Sequence, residues 1–304
     1  MNTAASIGAR WAALALVFNA LVWGLSWWPF RQLEAQGIHP LWATVLVYVP
    51  TAVVIAMVRP GAVIQLLRGR SLWVVMLAAG ATNAAFNWAT VVGDVVRVVL
   101  LFYLMPLWSV LLARWILKES LTRVAGIRMA LALVGAAIVL GEPGAGGAPV
   151  LPLPQSLADW LGVLGGFCFA LNNVMLKRSA HLPEEGRVLA MFVGGAVVAG
   201  MLAVGLSVQG DIGWPLSSGV AARPWWVPAM VLTLSALFLC SNLALQFGAV
   251  RLPVEVSSVL MLSEVLFASV SAALLGAGQI TARLLLGGAL IVLTAVWAAR
   301  EPSH

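Results

Sequence analysis

The stretch "YLMPLWSVLLARWILKESLT", residues 103–122, is echoed later in the chain by "LMLSEVLFASVSAALLGAGQIT", residues 260–281. Pairing Pro106 with Val265 gives an offset of 159 (265 − 106), and the same offset superposes the threonines that end both phrases. Each copy is an apolar run that ends in a polar turn, as expected for one helix written twice. The echo predicts a chain of two related halves in which these helices are counterparts.

The composition is typical of an integral membrane protein. Of the 304 residues, 62% are hydrophobic and 9% are charged, and the mean hydropathy is +1.00. In soluble domains roughly a quarter of all residues are charged. This chain has too few charged residues to cover a water-facing surface. Apolar stretches of about 20 residues predict spanning helices rather than the alternating strands of a barrel.

Turn signals and charges divide the chain into ten predicted spans. The Gly- and Pro-rich segment 141–156 cannot be helical and separates five spans from five. We therefore expect an all-α membrane protein of ten transmembrane helices, with one five-helix repeat over residues 1–145 and a second, inverted repeat over 146–304. The approximate limits of the spans are 11–33, 40–58, 72–92, 96–116, 123–141, 158–177, 187–208, 226–248, 253–275 and 281–299.

The basic residues predict the orientation. Cytoplasmic loops carry an excess of Lys and Arg, and a cytoplasmic N-terminus places 13 of the 17 basic residues inside and four outside, the latter being Arg31, Arg97, Arg223 and Arg283. We expect a multi-pass protein of the bacterial inner membrane with both termini in the cytoplasm. Because five is an odd number, the second half then enters the membrane upside down.

Two further echoes support the inversion. "WGLSWWPFR" (23–31) aligns with "FALNNVMLK" (169–177), and "NWATVVG" (87–93) aligns with "NLALQFG" (242–248) at an offset of 155. Secondary transporters use such inverted repeats to build a site near the bilayer midplane that each side reaches in turn.

With these phrases the chain resembles the drug/metabolite transporter superfamily of EamA type. The first copy keeps Pro106, Glu119 and the pair Leu121-Thr122, whereas the second has Val265 for the proline and no acid in "GAGQIT". The "FYLMPLW" stretch and the ten-span layout are most similar to the YddG-type exporters of aromatic amino acids. The resemblance implies an exporter of small organic solutes, with amino acids of aromatic or amphipathic character as the expected substrates.

Polar and aromatic residues inside the spans are the candidates for a substrate site, because polar side chains in hydrocarbon face the bundle interior. Asn83 and Asn87 share one helical face of the third span, and Asn242 is the repeat counterpart of Asn87. The alternative for each amide is a hydrogen bond between helices, which contributes about 0.6 kcal/mol on average. The candidate substrate-binding residues are Trp27, Asn83, Asn87, Tyr103, Trp108, Asn172, Asn242 and Met261.

Two residues distinguish the copies of the repeated helix. Pro106 lies midway along the fourth span and predicts either a fixed kink or a hinge. Glu264 is the only acid well inside a span, and it is either a proton-coupling group or a buried acid that braces the bundle, with Arg128 as a conceivable partner. We expect the fourth span to bend and the ninth to stay straighter.

Three functional classes remain: a secondary transporter, an uncoupled facilitator or exporter of drugs and other metabolites through the same cavity, and a membrane scaffold or enzyme. The chain has no nucleophile elbow, phosphate loop or His cluster, so we expect no enzyme, no cofactor and no metal. Its basic residues are spread over helix ends rather than gathered in a stripe, which argues against nucleic acid. The expected partners are a small-molecule substrate and the lipid bilayer, and the expected state is a monomer.

Overall fold

The computed structural model describes residues 3–92, 98, 101–119, 122–140, 154, 156–215, 224–275 and 282–299. These residues form helices joined by turns, and no strand occurs among them. The helices are α1 (Thr3–Ala35), α2 (Pro40–Val58), α3 (Pro60–Arg68), α4 (Arg70–Val92), α5 (Met105–Leu112), α6 (Arg123–Leu140), α7 (Leu157–Arg178), α8 (Glu184–Gln209), α9 (Trp226–Ala249), α10 (Val254–Met261), α11 (Ser263–Leu274) and α12 (Ala282–Ala299). A π-helical turn, Ala113–Leu117, extends α5.

Helical segments lie at all ten places where spans are predicted, most with ends within a few residues of the predicted limits. In the described residues, six helices are long and apolar enough to cross a membrane: α1, α2, α4, α7, α8 and α9. Shorter apolar helical stretches cover 107–117, 126–135, 259–271 and 285–294. The chain is thus a multi-pass helical membrane protein, and the count of ten spans stays a prediction. The short helix α3 was not predicted.

The repeated phrase is interrupted in both copies at the same register. In the first copy, Tyr103 and Leu104 form a turn and α5 begins at Met105. The offset of 159 carries this turn onto Leu262 and Ser263, where α10 ends and α11 begins. The expectation that the second copy stays straighter is therefore wrong.

Each interruption has a local cause. Pro106 lies in the first turn of α5, where a missing N–H removes no helical hydrogen bond, so it starts a helix rather than kinking one from within. The second copy has no proline. There the Val265 N–H bonds to the Leu262 carbonyl (3.1 Å), a tight three-residue spacing, and the Ser263 hydroxyl donates to the Leu260 carbonyl (2.7 Å). Side-chain capping thus replaces proline in the second copy.

Most of the close helix packing joins the two halves of the chain. The helix α4 packs against α7 and α8, and α9 packs against α1 and α2. Further pairs are α2 with α8, α5 with α7, α1 with α11, and α6 with α12. The core between them is centred on buried side chains that include Tyr48, Phe192 and Phe238.

Glycine allows α4 and α8 to approach to backbone contact. A Cβ atom on Gly194 would collide with the Met76 carbonyl, and one on Gly80 would collide with the Gly194 carbonyl. The next residue, Gly195, lies against the ring of Tyr48 on α2. Small residues at such crossings let helices in membranes associate through close packing.

This contact yields a stability prediction. Gly194→Ala is expected to destabilise the protein by about 1–3 kcal/mol, because the methyl group must displace the α4 backbone. Gly205→Ala on the same helix is the matched control: a Cβ there meets nothing within 4 Å, so it should be neutral or stabilise by up to about 1 kcal/mol through helix propensity. Thermal unfolding in detergent measures both, and equal midpoints for Gly194→Ala and wild type would contradict the prediction.

Candidate functional site

A cavity lies at the centre of the bundle, where the two halves meet. Its volume is about 40 Å³, counted as the space open to the centre of a water molecule. Helices from both halves contribute to its wall. The lining residues are Trp23, Tyr48, Ala79, Thr82, Asn83, Phe86, Phe102, Phe169, Asn172, Met191, Asn242, Leu245 and Glu264.

Three amides face this cavity with different hydrogen-bonding states. Asn83 accepts a bond from the Tyr48 hydroxyl (3.1 Å) and donates to the Ala79 carbonyl (2.8 Å). Neither polar atom of Asn172 has a partner in the described part of the chain, although the residue is only 1% exposed. The Oδ1 atom of Asn242 is likewise unpaired there. Since buried polar groups are normally hydrogen-bonded, Asn172 and Asn242 are the groups best placed to bind a solute or water.

Aromatic rings form the apolar part of the wall. Phe102 contacts Phe86 edge-on at 4.9 Å and Phe169 at 5.8 Å between ring centroids. Trp23, another lining residue, stacks on Phe238 with 4.7 Å between ring centroids. Because their neighbours hold these rings in place, they offer flat apolar surface at low entropic cost. A ring or branched apolar group is the moiety that such a wall would accept.

The single acid of the wall lies beside the interruption of the repeated helix. Glu264 occupies the first turn of α11, and its carboxylate accepts a hydrogen bond from the Tyr103 hydroxyl. Tyr103 in turn belongs to the turn that precedes α5. Helix N-termini carry partial positive charge that favours a nearby carboxylate. The two interruptions are therefore linked directly across the halves by a Tyr–Glu bond next to the cavity.

The structure brings part of the predicted site together. Asn83, Asn172, Asn242 and Glu264 line the cavity, and Tyr103 adjoins it through Glu264. Arg128, the partner considered for Glu264, lies over the ring of Trp297, 5.9 Å from its centroid.

Besides Tyr103, four predicted substrate-binding residues lie outside the lining. Trp27 donates to the Ser271 hydroxyl (2.9 Å), and Asn87 donates to the Thr44 hydroxyl (2.6 Å). Both side chains therefore make hydrogen bonds between helices, which was the alternative to a substrate-binding role in the sequence analysis. Met261 is fully buried in the core, and Trp108 contacts Phe167 edge-on at 5.7 Å.

Several lining residues were not predicted. Tyr48 and Met191 come from α2 and α8, two helices to which no site residue was assigned. Trp23 and Phe169 carried a usable signal, because the alignment of residues 23–31 with 169–177 makes them counterparts. An aromatic residue at the same register of both halves was the sign that both rings face the shared centre.

Comparison with known proteins finds a family match in the N-terminal half of the chain. The sequence model of the EamA-like transporter family matches residues 10–141. One crystal structure is similar over 95% of this chain and 96% of its own, with a TM-score of 0.68 and 19% sequence identity. At that identity the likeness shows the fold alone. No curated protein matches the chain.

Cysteine labelling tests the boundary of the cavity. In a background without Cys168 and Cys240, Asn172→Cys is expected to react with a water-soluble thiol reagent, because its side chain faces the cavity and becomes accessible when the helices part. Met261→Cys is expected to stay inert, since Met261 is fully buried outside the lining. The two labelling rates in membranes measure the difference. Equal labelling rates for the two variants would contradict the assignment of Asn172 to the cavity wall and of Met261 to the core.

Proposed function

We propose that this chain is a secondary transporter that exports amino acids across the bacterial inner membrane. The match of residues 10–141 to the sequence model of the EamA-like transporter family supports a membrane transporter of small solutes. The proposed substrates carry an aromatic or otherwise amphipathic side chain. Transport proceeds by alternating access to the central cavity.

The observation that carries the proposal is the mixed chemistry of the cavity wall. Its rings match an apolar side chain, while the unpaired amides of Asn172 and Asn242 and the carboxylate of Glu264 offer hydrogen bonds to an amino acid's polar end. Small-molecule sites commonly combine an apolar wall with a few placed polar groups. The same combination supports other amphipathic metabolites, which remain the alternative substrates.

The contacts between helices support an inverted repeat. If each helix of the first half is exchanged with its counterpart in the second, α4 with α7 becomes α9 with α1, and α4 with α8 becomes α9 with α2. The pair α5 with α7 likewise becomes α11 with α1, and the pairs α2–α8 and α6–α12 map onto themselves. The paired interruptions beside Glu264 fit the discontinuous helices around which transporters of this architecture build their sites.

The size of the cavity supports alternating access. Its 40 Å³ has room for a few water molecules, whereas pockets that hold small-molecule ligands measure about 300–1,000 Å³. The described conformation is therefore closed around the site. A solute enters only when the helices part toward one side, which is the behaviour that separates a transporter from an open channel.

Reconstituted protein tests the function. Proteoliposomes preloaded with unlabelled amino acid are expected to take up radiolabelled phenylalanine, tryptophan or leucine by counterflow and little aspartate, because a second carboxylate would lose its water against the aromatic wall. Asn172→Leu should lower the rate at least about tenfold, since it removes a hydrogen bond in a desolvated site. Leu232→Ala on the outer surface of α9 is the matched control. Counterflow of none of the panel would overturn the proposed substrate class.

A second experiment tests proton coupling at Glu264. Glu264→Gln keeps the shape and the bond from Tyr103 but removes the charge that a proton neutralises. If Glu264 carries protons, the variant exchanges substrate across the membrane yet no longer responds to an imposed pH gradient. A wild type that ignores the gradient, or a variant that responds fully, would leave Glu264 as a bracing acid and the chain as an uncoupled facilitator.

A further inference from the structure

Three helix segments meet along a seam beside the central cavity. The buried side chains of Leu112, Ala113, Ala170, Val174 and Val254 form one apolar cluster there, separate from the main core. They come from α5 with its π-helical turn, from α7 and from the start of α10. We call these five residues the plug.

The direction of the helices fixes where the plug lies. Phe102 precedes α5 and lines the cavity, so α5 runs from the cavity toward Leu112 and Ala113. On α7 the plug residues Ala170 and Val174 lie on either side of the cavity-lining Asn172. The other segment runs the opposite way: it starts at Val254 in the plug and leads to Glu264 in the cavity wall. On α5 and α10 the plug therefore lies between the cavity and one membrane face, the one that the basic residues predict to be cytoplasmic.

An ion pair closes the seam on the far side of the plug. The Lys177 ammonium lies 2.7 Å from a Glu119 carboxylate oxygen, with the side chains 24% and 29% exposed. Lys177 shares a helical face with Ala170 and Val174, at spacings of seven and three residues. Glu119 follows the π-helical turn after Lys118, whose backbone is left-handed with φ 58°. The pair thus joins the first half of the chain to the second about one helical turn beyond Val174.

Three buried polar side chains, which we call the ring, lie within one helical turn of plug residues, one on each of the three helix segments. Ser109 precedes Leu112 and Ala113 by about one turn of α5, and Ser257 follows Val254 by one turn of α10. Asn173 precedes Val174. The three residues are 0%, 2% and 2% exposed, and the two hydroxyls and both amide atoms have no partner in the described residues.

Such a ring needs a physical explanation. A buried polar group without a partner costs about 1–3 kcal/mol, and here each of the three helix segments places one within a turn of the plug. Water or a passing solute satisfies groups of this kind. A purely structural plug would have been more stable with apolar residues at all three positions.

From these contacts we infer that the seam is a gate on the solute route, closed by the plug, latched by Lys177 and Glu119, and provided with a second polar binding site formed by Ser109, Asn173 and Ser257. This inference rests on the proposed transport function. The ring carries hydroxyls and an amide but no charge, so it takes either the donor or the acceptor end of a small polar solute. Solute leaving or entering the central cavity pauses there while the plug is parted.

Labelling of the plug tests the latch without any need for transport. Val174→Cys, in the background without Cys168 and Cys240, is exposed to a charged, membrane-impermeant thiol reagent from the plug side. Glu119→Gln and Lys177→Gln are each expected to raise the labelling rate roughly two- to fivefold, the change in open population that a partly exposed ion pair supports. The exchanged pair, Glu119→Lys with Lys177→Glu, should restore the slow rate. Ala199→Cys, buried in α8 away from the seam, should not respond, and it would react faster only if the variants unfolded.

Flux and binding together test the polar ring. Asn173→Leu is expected to lower the maximal counterflow rate several-fold while the equilibrium affinity for the solute stays within twofold, because the central cavity is untouched. Asn172→Leu, one residue away, should weaken the affinity itself.

The outcomes separate the two proposals. Labelling of Val174→Cys that ignores the ion pair would overturn the gate, and an Asn173→Leu variant with unchanged counterflow would overturn the second site, even if wild type transports amino acids. A wild type that moves no solute while the latch still controls labelling would overturn the proposed function and with it the second site, but not the gate.

Discussion

The constraint on which the structure depends is that hydrocarbon offers no hydrogen bonds to a polypeptide backbone. A helix within a membrane can be interrupted only where the freed groups face protein or a wet cavity. This chain interrupts one helix in each half, at Leu104 and at Leu262, and it does so beside the central cavity. The interruptions, the Tyr103–Glu264 bond and the unpaired amide of Asn172 are thus consequences of one arrangement: a polar centre enclosed by apolar helices.

That arrangement explains why the two copies of the repeated helix carry different residues at the interruption. What the two copies share is the interruption, and sequence can produce it in more than one way. In the first copy Pro106 begins α5 at a position where proline is tolerated. In the second, Ser263 and Glu264 take that place, and a serine hydroxyl satisfies the carbonyl left by the ending helix. The second solution also puts a carboxylate at the cavity, so the copies are alike in backbone and unlike in chemistry.

Sequence predicted the positions of the helices well, because hydropathy and charge report directly on which segments lie in the membrane. The limits of α2 agree to the residue. The site was harder. Asn87 and Asn172 are chemically identical, yet one bonds Thr44 on α2 and the other faces the cavity. That difference depends on the rotation of each helix against its neighbours, which periodicity within a single, nearly uniformly apolar helix does not reveal. The interruption at Leu262 was missed for a related reason, since no proline or glycine marks it.

The glycine crossing of α4 and α8 has a mechanical consequence. At Gly80 and Gly194 the two helices touch backbone to backbone, and Gly195 adds the ring of Tyr48 from α2. At contacts this close α4 and α8 cannot slide past each other, because any shift drives carbonyl oxygens into atoms of the neighbouring helix. Two of these helices come from the first half of the chain and one from the second. The helices α2, α4 and α8 therefore form one rigid block that contains helices from both sequence repeats. In the proposed transport cycle, the parts that move against one another are therefore not the two sequence repeats but blocks assembled from both.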